Sequence, residues 1–109
     1  MADRVAIVGV GHTQFRATSP GVSYKEIMFE AVTKAYADAD LDPRRDIDIS
    51  VCCSEDFSEG TGIFDEHVPD QIGAALRPVH TISGDGLQGL AAAHMQILTG
   101  AFDVVAVQT

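Results

Sequence analysis

From Val79 to Met95 the hydrophobic pattern changes period. Val79-His80-Thr81-Ile82 is β-branched and strand-like, Ser83-Gly84-Asp85-Gly86 is a glycine-rich turn, and from Leu87 onward apolar residues occupy nearly every helical face. This predicts a buried helix over Gly86 to Leu98, with Gly100 as its C-cap. Its amino terminus is then expected inside the protein, where unpaired N–H groups and the positive end of the helix dipole favour an anion or a nucleophile.

The rest of the chain reads around that turn. Arg4 to Val10 is a near-continuous apolar run, the pattern of a strand buried on both faces of a parallel sheet. A polar loop follows to Gly21, and Ser23-Tyr24-Lys25-Glu26 carries a capping box that opens an amphipathic helix running to Leu41. Asp42-Pro43 ends it. Ile47 to Cys53 alternates apolar and polar residues as a second strand. The acidic loop Glu55 to His67 is long for a connection, which suggests function or contact with another subunit. A short helix is expected from Val68 to Leu76, ended by Pro78, and a last strand from Asp103 to Val107. The order βαβαβαβ implies one α/β unit over 1–109, a mostly parallel sheet with helices on both faces. The final strand has no covering helix after it, so the unit is expected to be the front part of a larger domain.

Composition removes several function classes. A net charge of −9 with only 7 Lys and Arg argues against a nucleic-acid partner. The apolar runs fall short of the roughly 18 residues a membrane span needs. Met1-Ala2-Asp3-Arg4 leads into the first strand without a signal core, so a cytoplasmic location is expected. Cys52 and Cys53 are adjacent on a strand, where their side chains point to opposite faces, so both are expected as free, buried thiols. His67 with Asp65, Glu66 and Asp70 lacks the spacing of a compact metal site and reads as a solvated acidic loop; no metal is expected.

Gly84-x-Gly86-x-x-Gly89 matches the dinucleotide fingerprint and has the required strand and helix on either side. The acidic residue that would hold a ribose is missing from the carboxyl end of the next strand, because Asp103 begins that strand. A dinucleotide-binding module therefore stands as a third choice. Asp85, the ionisable side chain of the turn, could act as a base or orient a substrate, although accepting N–H groups at the helix start is the commoner role. His80 and His94 read as hydrogen-bonded core histidines.

A wider pattern fits more of the chain. Val5-Ala6-Ile7-Val8-Gly9-Val10-Gly11-His12-Thr13-Gln14-Phe15, the capped helix, and Ala37-Asp38-Ala39-Asp40-Leu41 resemble the opening of the thiolase superfamily, in its sterol-carrier-protein-type branch. The resemblance continues through Cys52, Pro69 and Gln71 to Val107. It implies a thiolase-like fold and a coenzyme A thioester substrate, with no bound cofactor. In that family a cysteine at the start of the buried helix, in Cys-x-x-Gly, takes the acyl group. Laid on this chain, the glycine is Gly89 and the nucleophile position is Gly86. Cys52 and Cys53 lie on a different strand and are not expected to replace it. No catalytic residue is then identified, and Ser83, Gly84, Asp85, Gly86 and Gly89 are the candidate substrate-binding residues. The missing cysteine resembles the steroid side-chain aldolases of the superfamily, lyases that cleave a β-hydroxyacyl-CoA by retro-aldol chemistry. The resemblance also implies a role in lipid metabolism, a homodimer or a hetero-oligomer with an OB-fold and zinc-ribbon protein, and His67 and Asp70 near an interface. The alternative is a non-catalytic subunit that partners an active acyltransferase.

Overall fold

A computed structural model describes residues 4–54 and 67–109. The elements run α1 (Tyr24–Ala39), α2 (Pro43–Asp46), β1 (Ile49–Cys53), β2 (Val79–Ile82), α3 (Gly86–Leu98) and β3 (Val105–Gln108). The three strands form one parallel sheet in the order β2-β1-β3.

The central strand β1 is buried along its whole length rather than on alternate positions. Its position explains this, since it has a strand on each edge and helices on both faces. Cys52 faces Met28 and Val32 of α1, together with Val68, Ile72 and Ala74. Val51 and Cys53 face Gly89 of α3 on the other side. Complete burial of a side chain such as Val51 or Val68 contributes roughly 1.5–3 kcal/mol. The two thiols point to opposite faces, and both are buried and outside any disulfide.

Helix α1 begins at the capping box expected of it. Ser23 accepts from the Glu26 N–H, and Glu26 accepts from the Ser23 N–H at 2.8 Å. It ends at Asp40 in the left-handed conformation. A second tie joins strand starts that are far apart in sequence: the Asp48 carboxylate accepts from Asp103 N–H at 2.8 Å and Val104 N–H at 3.0 Å. The start of β3 is thus fastened to the start of β1.

Four expectations are corrected. Arg4 to Val10 joins no sheet, and Ile7 is 71% exposed, Val8 64% and Val10 66%. The segment lies instead against α1, where Gly9 and Gly11 allow backbone contact. A Cβ on Gly9 would stand 2.6 Å from the Ala35 carbonyl oxygen, and one on Gly11 would overlap Ala31 and Ala35 main chain. The Val10 N–H donates to Asp38 at 2.9 Å. Val68 to Leu76 forms turns rather than a helix, because Gly73 and Leu76 take positive φ. The last strand starts at Val105, after the residues that Asp48 holds. Helix α3 has the expected bounds but buries only Gly89 and Ala93 fully, while Leu87 is 76% exposed. Its apolar residues outnumber the partners available, as only one face meets the sheet. The expected loop Glu55–His67 lies outside the described residues, apart from His67.

Candidate functional site

The carboxyl ends of parallel strands converge on one edge of the sheet, and in α/β sheets ligands bind beyond that edge. Here the edge carries Cys53 from β1, the turn after β2, and Thr109 after β3. The register aligns Cys53 with Ile82, so β1 ends beside the Ser83–Gly86 turn. Ser54 reinforces this by donating its N–H to the Ile82 carbonyl at 3.0 Å.

The turn feeds α3 through a second capping box. Asp85 accepts from the N–H groups of Leu87 at 3.1 Å and Gln88 at 3.2 Å, while the Gln88 amide oxygen accepts from the Asp85 N–H at 2.9 Å. The helix dipole therefore meets a carboxylate of its own chain, the capping role that is commoner for such an aspartate. Those are also N–H groups that a pyrophosphate would need in the dinucleotide reading.

The glycines are defined by what crowds them. A side chain on Gly84 would run into the capping amide of Gln88. At Gly86 the space for a Cβ is bordered by the Thr109 methyl at 2.9 Å and the Thr109 Cβ at 3.3 Å. At Gly89 it is filled by the Cys53 sulfur, with the Val107 methyl at 3.0 Å. Glycine at 89 thus admits β1 and β3 against the first turn of α3.

Cys53 is the functional candidate that spacing along the chain concealed. It was expected to lie away from the turn on an unrelated strand, yet its sulfur sits over Gly89. Parallel pairing explains the difference, since it places strand carboxyl ends side by side whatever their separation in sequence. Burial pushes the Cys53 thiol above its ordinary range; a Gly89 backbone hydrogen bond pulls the other way, and the Asp85 charge adds to the rise. A thiol so placed stays protonated at neutral pH and is a poor nucleophile.

The remaining candidates are dispersed. Ser83 is exposed beside the turn. His80 and His94 are also exposed rather than in the core, and His80 Nδ1 lies 3.1 Å from Gln96 Nε2. His67 takes part through its carbonyl, which accepts from Gln71 Nε2 at 2.7 Å, and Asp70 is exposed. Asp65 and Glu66 lie outside the described residues. Among the described residues no cluster of His, Cys, Asp and Glu could hold a metal ion, and no helix is long and apolar enough to cross a membrane.

No model of a known protein family matches the sequence, and no curated protein is significantly similar to it. Among solved structures, the crystal structure of 3-oxoacyl-[acyl-carrier-protein] synthase III from Aquifex aeolicus VF5 superposes with a TM-score of 0.67. The match covers 82% of this chain at 18% identity. The fold is thiolase-like. The chain spans 30% of that neighbour's length. In this thiolase-like unit, Gly86 is the first residue of the helix after the second strand of the sheet, and Cys53 ends the strand beside it.

Proposed function

We propose that the chain is the front part of a thiolase-like enzyme that acts on a coenzyme A thioester at a carbon–carbon bond, by retro-aldol cleavage of a β-hydroxyacyl-CoA. The observation that carries this reading is the start of α3: glycine stands at 86, and the nearby thiol of Cys53 is held protonated by burial. Thiolysis and Claisen condensation proceed through an acyl-cysteine, whereas a retro-aldol step needs none. A base removes the β-hydroxyl proton and the bond between Cα and Cβ breaks. Its electron pair passes to Cα as the thioester enolate, Cβ becomes a carbonyl, and Cα then takes up a proton. No oxidant or reductant is required. In this reading Ser83 to Gly89 border the substrate, and acid-base residues come from outside the 109 residues. The reading also includes a dimer or a complex with an OB-fold, zinc-ribbon protein, and a role in lipid metabolism.

A second reading draws on Asp85. Its carboxylate already satisfies Leu87 and Gln88 N–H groups, as it would in a non-catalytic subunit that lends a surface to an active acyltransferase. One experiment separates the two. The natural polypeptide is incubated with a β-hydroxyacyl-CoA, and the mixture is analysed by mass spectrometry before and after iodoacetamide treatment. The lyase reading expects a free carbonyl product and a shortened acyl-CoA in equal amounts, insensitive to alkylation. An acyl adduct on Cys53 would overturn it. Neither cleavage nor adduct would favour the subunit.

A further inference from the structure

Leu76 stands at the amino-terminal edge of the sheet, just before β2 and opposite the candidate site. It takes φ 60°, a left-handed conformation that is costly for a bulky side chain and that glycine adopts readily. Asp40, the other non-glycine residue with positive φ among the described residues, is the polar C-cap of α1. Leu76 is instead fully exposed, so no packing within the described residues offsets its conformation. Such a conformation persists only where the surroundings fix it. Arg44 of α2 donates through Nη1 to the carbonyls of Gly73 at 3.2 Å and Ala75 at 2.6 Å, and the Arg77 N–H donates to the Ala74 carbonyl at 2.9 Å. The Arg77 guanidinium reaches back to the Arg44 carbonyl, and Gly73 lies so close to α2 that a Cβ there would stand 2.8 Å from the Pro43 Cβ. A rigid, strained turn thus holds a leucine out to solvent between cations. Among the described residues Arg44 and Arg77 donate to carbonyls and pair with no carboxylate, whereas Arg45 is paired with Asp46 and Asp42 caps α2 through the Arg44 N–H.

We propose that this turn is a docking knob for an acidic amphipathic helix of a partner protein, which lays its apolar stripe over Leu76 and sets carboxylates on the guanidinium groups of Arg44 and Arg77. Charge selects the partner class. The chain carries a net charge of −9 with only 7 Lys and Arg, and Arg44, Arg45 and Arg77 gather around this one apolar tip. Salt screens charge beyond about 8 Å at physiological ionic strength, so the acidic remainder of the surface does not oppose contact at the turn, yet it turns an acidic helix away from other faces. The guanidinium fork matches a carboxylate bidentately, and Arg44 and Arg77 each keep donors beyond those given to carbonyls. A helix fits where a strand does not. The carbonyls of Gly73, Ala74 and Ala75 are already bonded, so an added strand would find no acceptors along the turn. On a helix, side chains three and four residues apart are neighbours, which sets glutamates beside an apolar stripe. The inference stands apart from the reaction proposed above and is tested without substrate.

In the test, the natural polypeptide is titrated into a dye-labelled, capped helical peptide with leucines along one stripe and glutamates on either side of it, and fluorescence anisotropy is read at low and high salt. Saturable binding that weakens as salt rises is expected, with little from peptides in which glutamine replaces glutamate or alanine replaces leucine. Leu76→Gly should weaken binding by about tenfold or more, while its urea midpoint stays equal or rises because glycine accepts the positive φ. Arg77→Gln, which keeps an N–H donor for the Arg44 carbonyl, should weaken binding by up to about fivefold and flatten the salt dependence. The proposal is overturned by no saturation, by equal binding of either control peptide, or by unchanged affinity in Leu76→Gly. A lowered urea midpoint in that variant would also overturn it, since the leucine would then serve the fold. Displacement of the peptide by inorganic phosphate at matched ionic strength would leave a free-anion site in its place, and self-association abolished by Leu76→Gly would assign the knob to a second copy; either result overturns the proposal.

Discussion

Replacing Gly89 by alanine tests the packing on which the candidate site rests. In an open helix the change would stabilise by about 1 kcal/mol, because alanine has the higher helix propensity. Here the new methyl overlaps the Cys53 sulfur and lies 3.0 Å from the Val107 methyl. Strand β1 is held on both edges and cannot retreat, so α3 must move away from the sheet. Overpacking of this kind costs roughly 1–3 kcal/mol, which offsets the propensity gain and leaves a net loss of up to about 2 kcal/mol. Cys53→Ala opens the space the methyl needs. In that background Gly89→Ala is expected to be neutral or stabilising, a coupling of about 2 kcal/mol, within the range for residues in contact. Urea unfolding followed by circular dichroism at 222 nm measures all four corners of the cycle, provided the slope with denaturant is unchanged. An equal cost of Gly89→Ala in both backgrounds would refute the contact and, with it, the placement of Cys53 over the helix start.

Three further outcomes are expected. Asp85→Ala should cost about 1 kcal/mol through loss of the N-cap, while Asp85→Asn, which can still accept both N–H groups, should cost far less; thermal melts of the two variants compare them. Asp48→Ala leaves the Asp103 and Val104 N–H groups without their carboxylate and should lower stability by about 1–3 kcal/mol, with faster amide exchange at the start of β3 than in β2. Tyr36 donates to the Ile72 carbonyl at 2.6 Å, and burial, aided by Cys52, raises its phenol from the ordinary 10.0 to about 12. The folded state then holds that proton more tightly than the unfolded chain, so this contribution is complete below pH 10 and lost as pH rises towards 12. Unfolding at pH 8 and pH 11 should show the loss in the parent and a smaller one in Tyr36→Phe.

Local signals in the sequence were strong where the chain's own neighbours decide the structure. Ser23 and Glu26 marked the start of α1, the pattern at Gly86 marked α3, and the capping role of Asp85 followed from its place before a helix. The opposite orientation of Cys52 and Cys53 followed from strand geometry alone. Features decided by distant contacts were not legible. Arg4 to Val10 has strand composition, but membership of a sheet needs a partner edge, and β3 lies across a cleft. Burial of α3 was overestimated because periodicity counts apolar residues, not the surfaces that receive them. The approach of Cys53 to Gly89 depends on parallel register, which is a property of pairing and leaves no mark in spacing.

The parallel sheet also has a consequence for how the chain folds. Every ladder in it joins distant residues: Ser50 pairs with Val79, and Ile49 with Val105. Among the described residues no hairpin nucleates it locally, so loop-closure entropy must be met before either edge of β1 gains a hydrogen bond. Helices α1 and α3, each with its own capping box, can flicker into existence early. The sheet must wait for both crossovers, and the Asp48 carboxylate, which spans the longer one, then acts as the latch that makes the second closure slow to reverse.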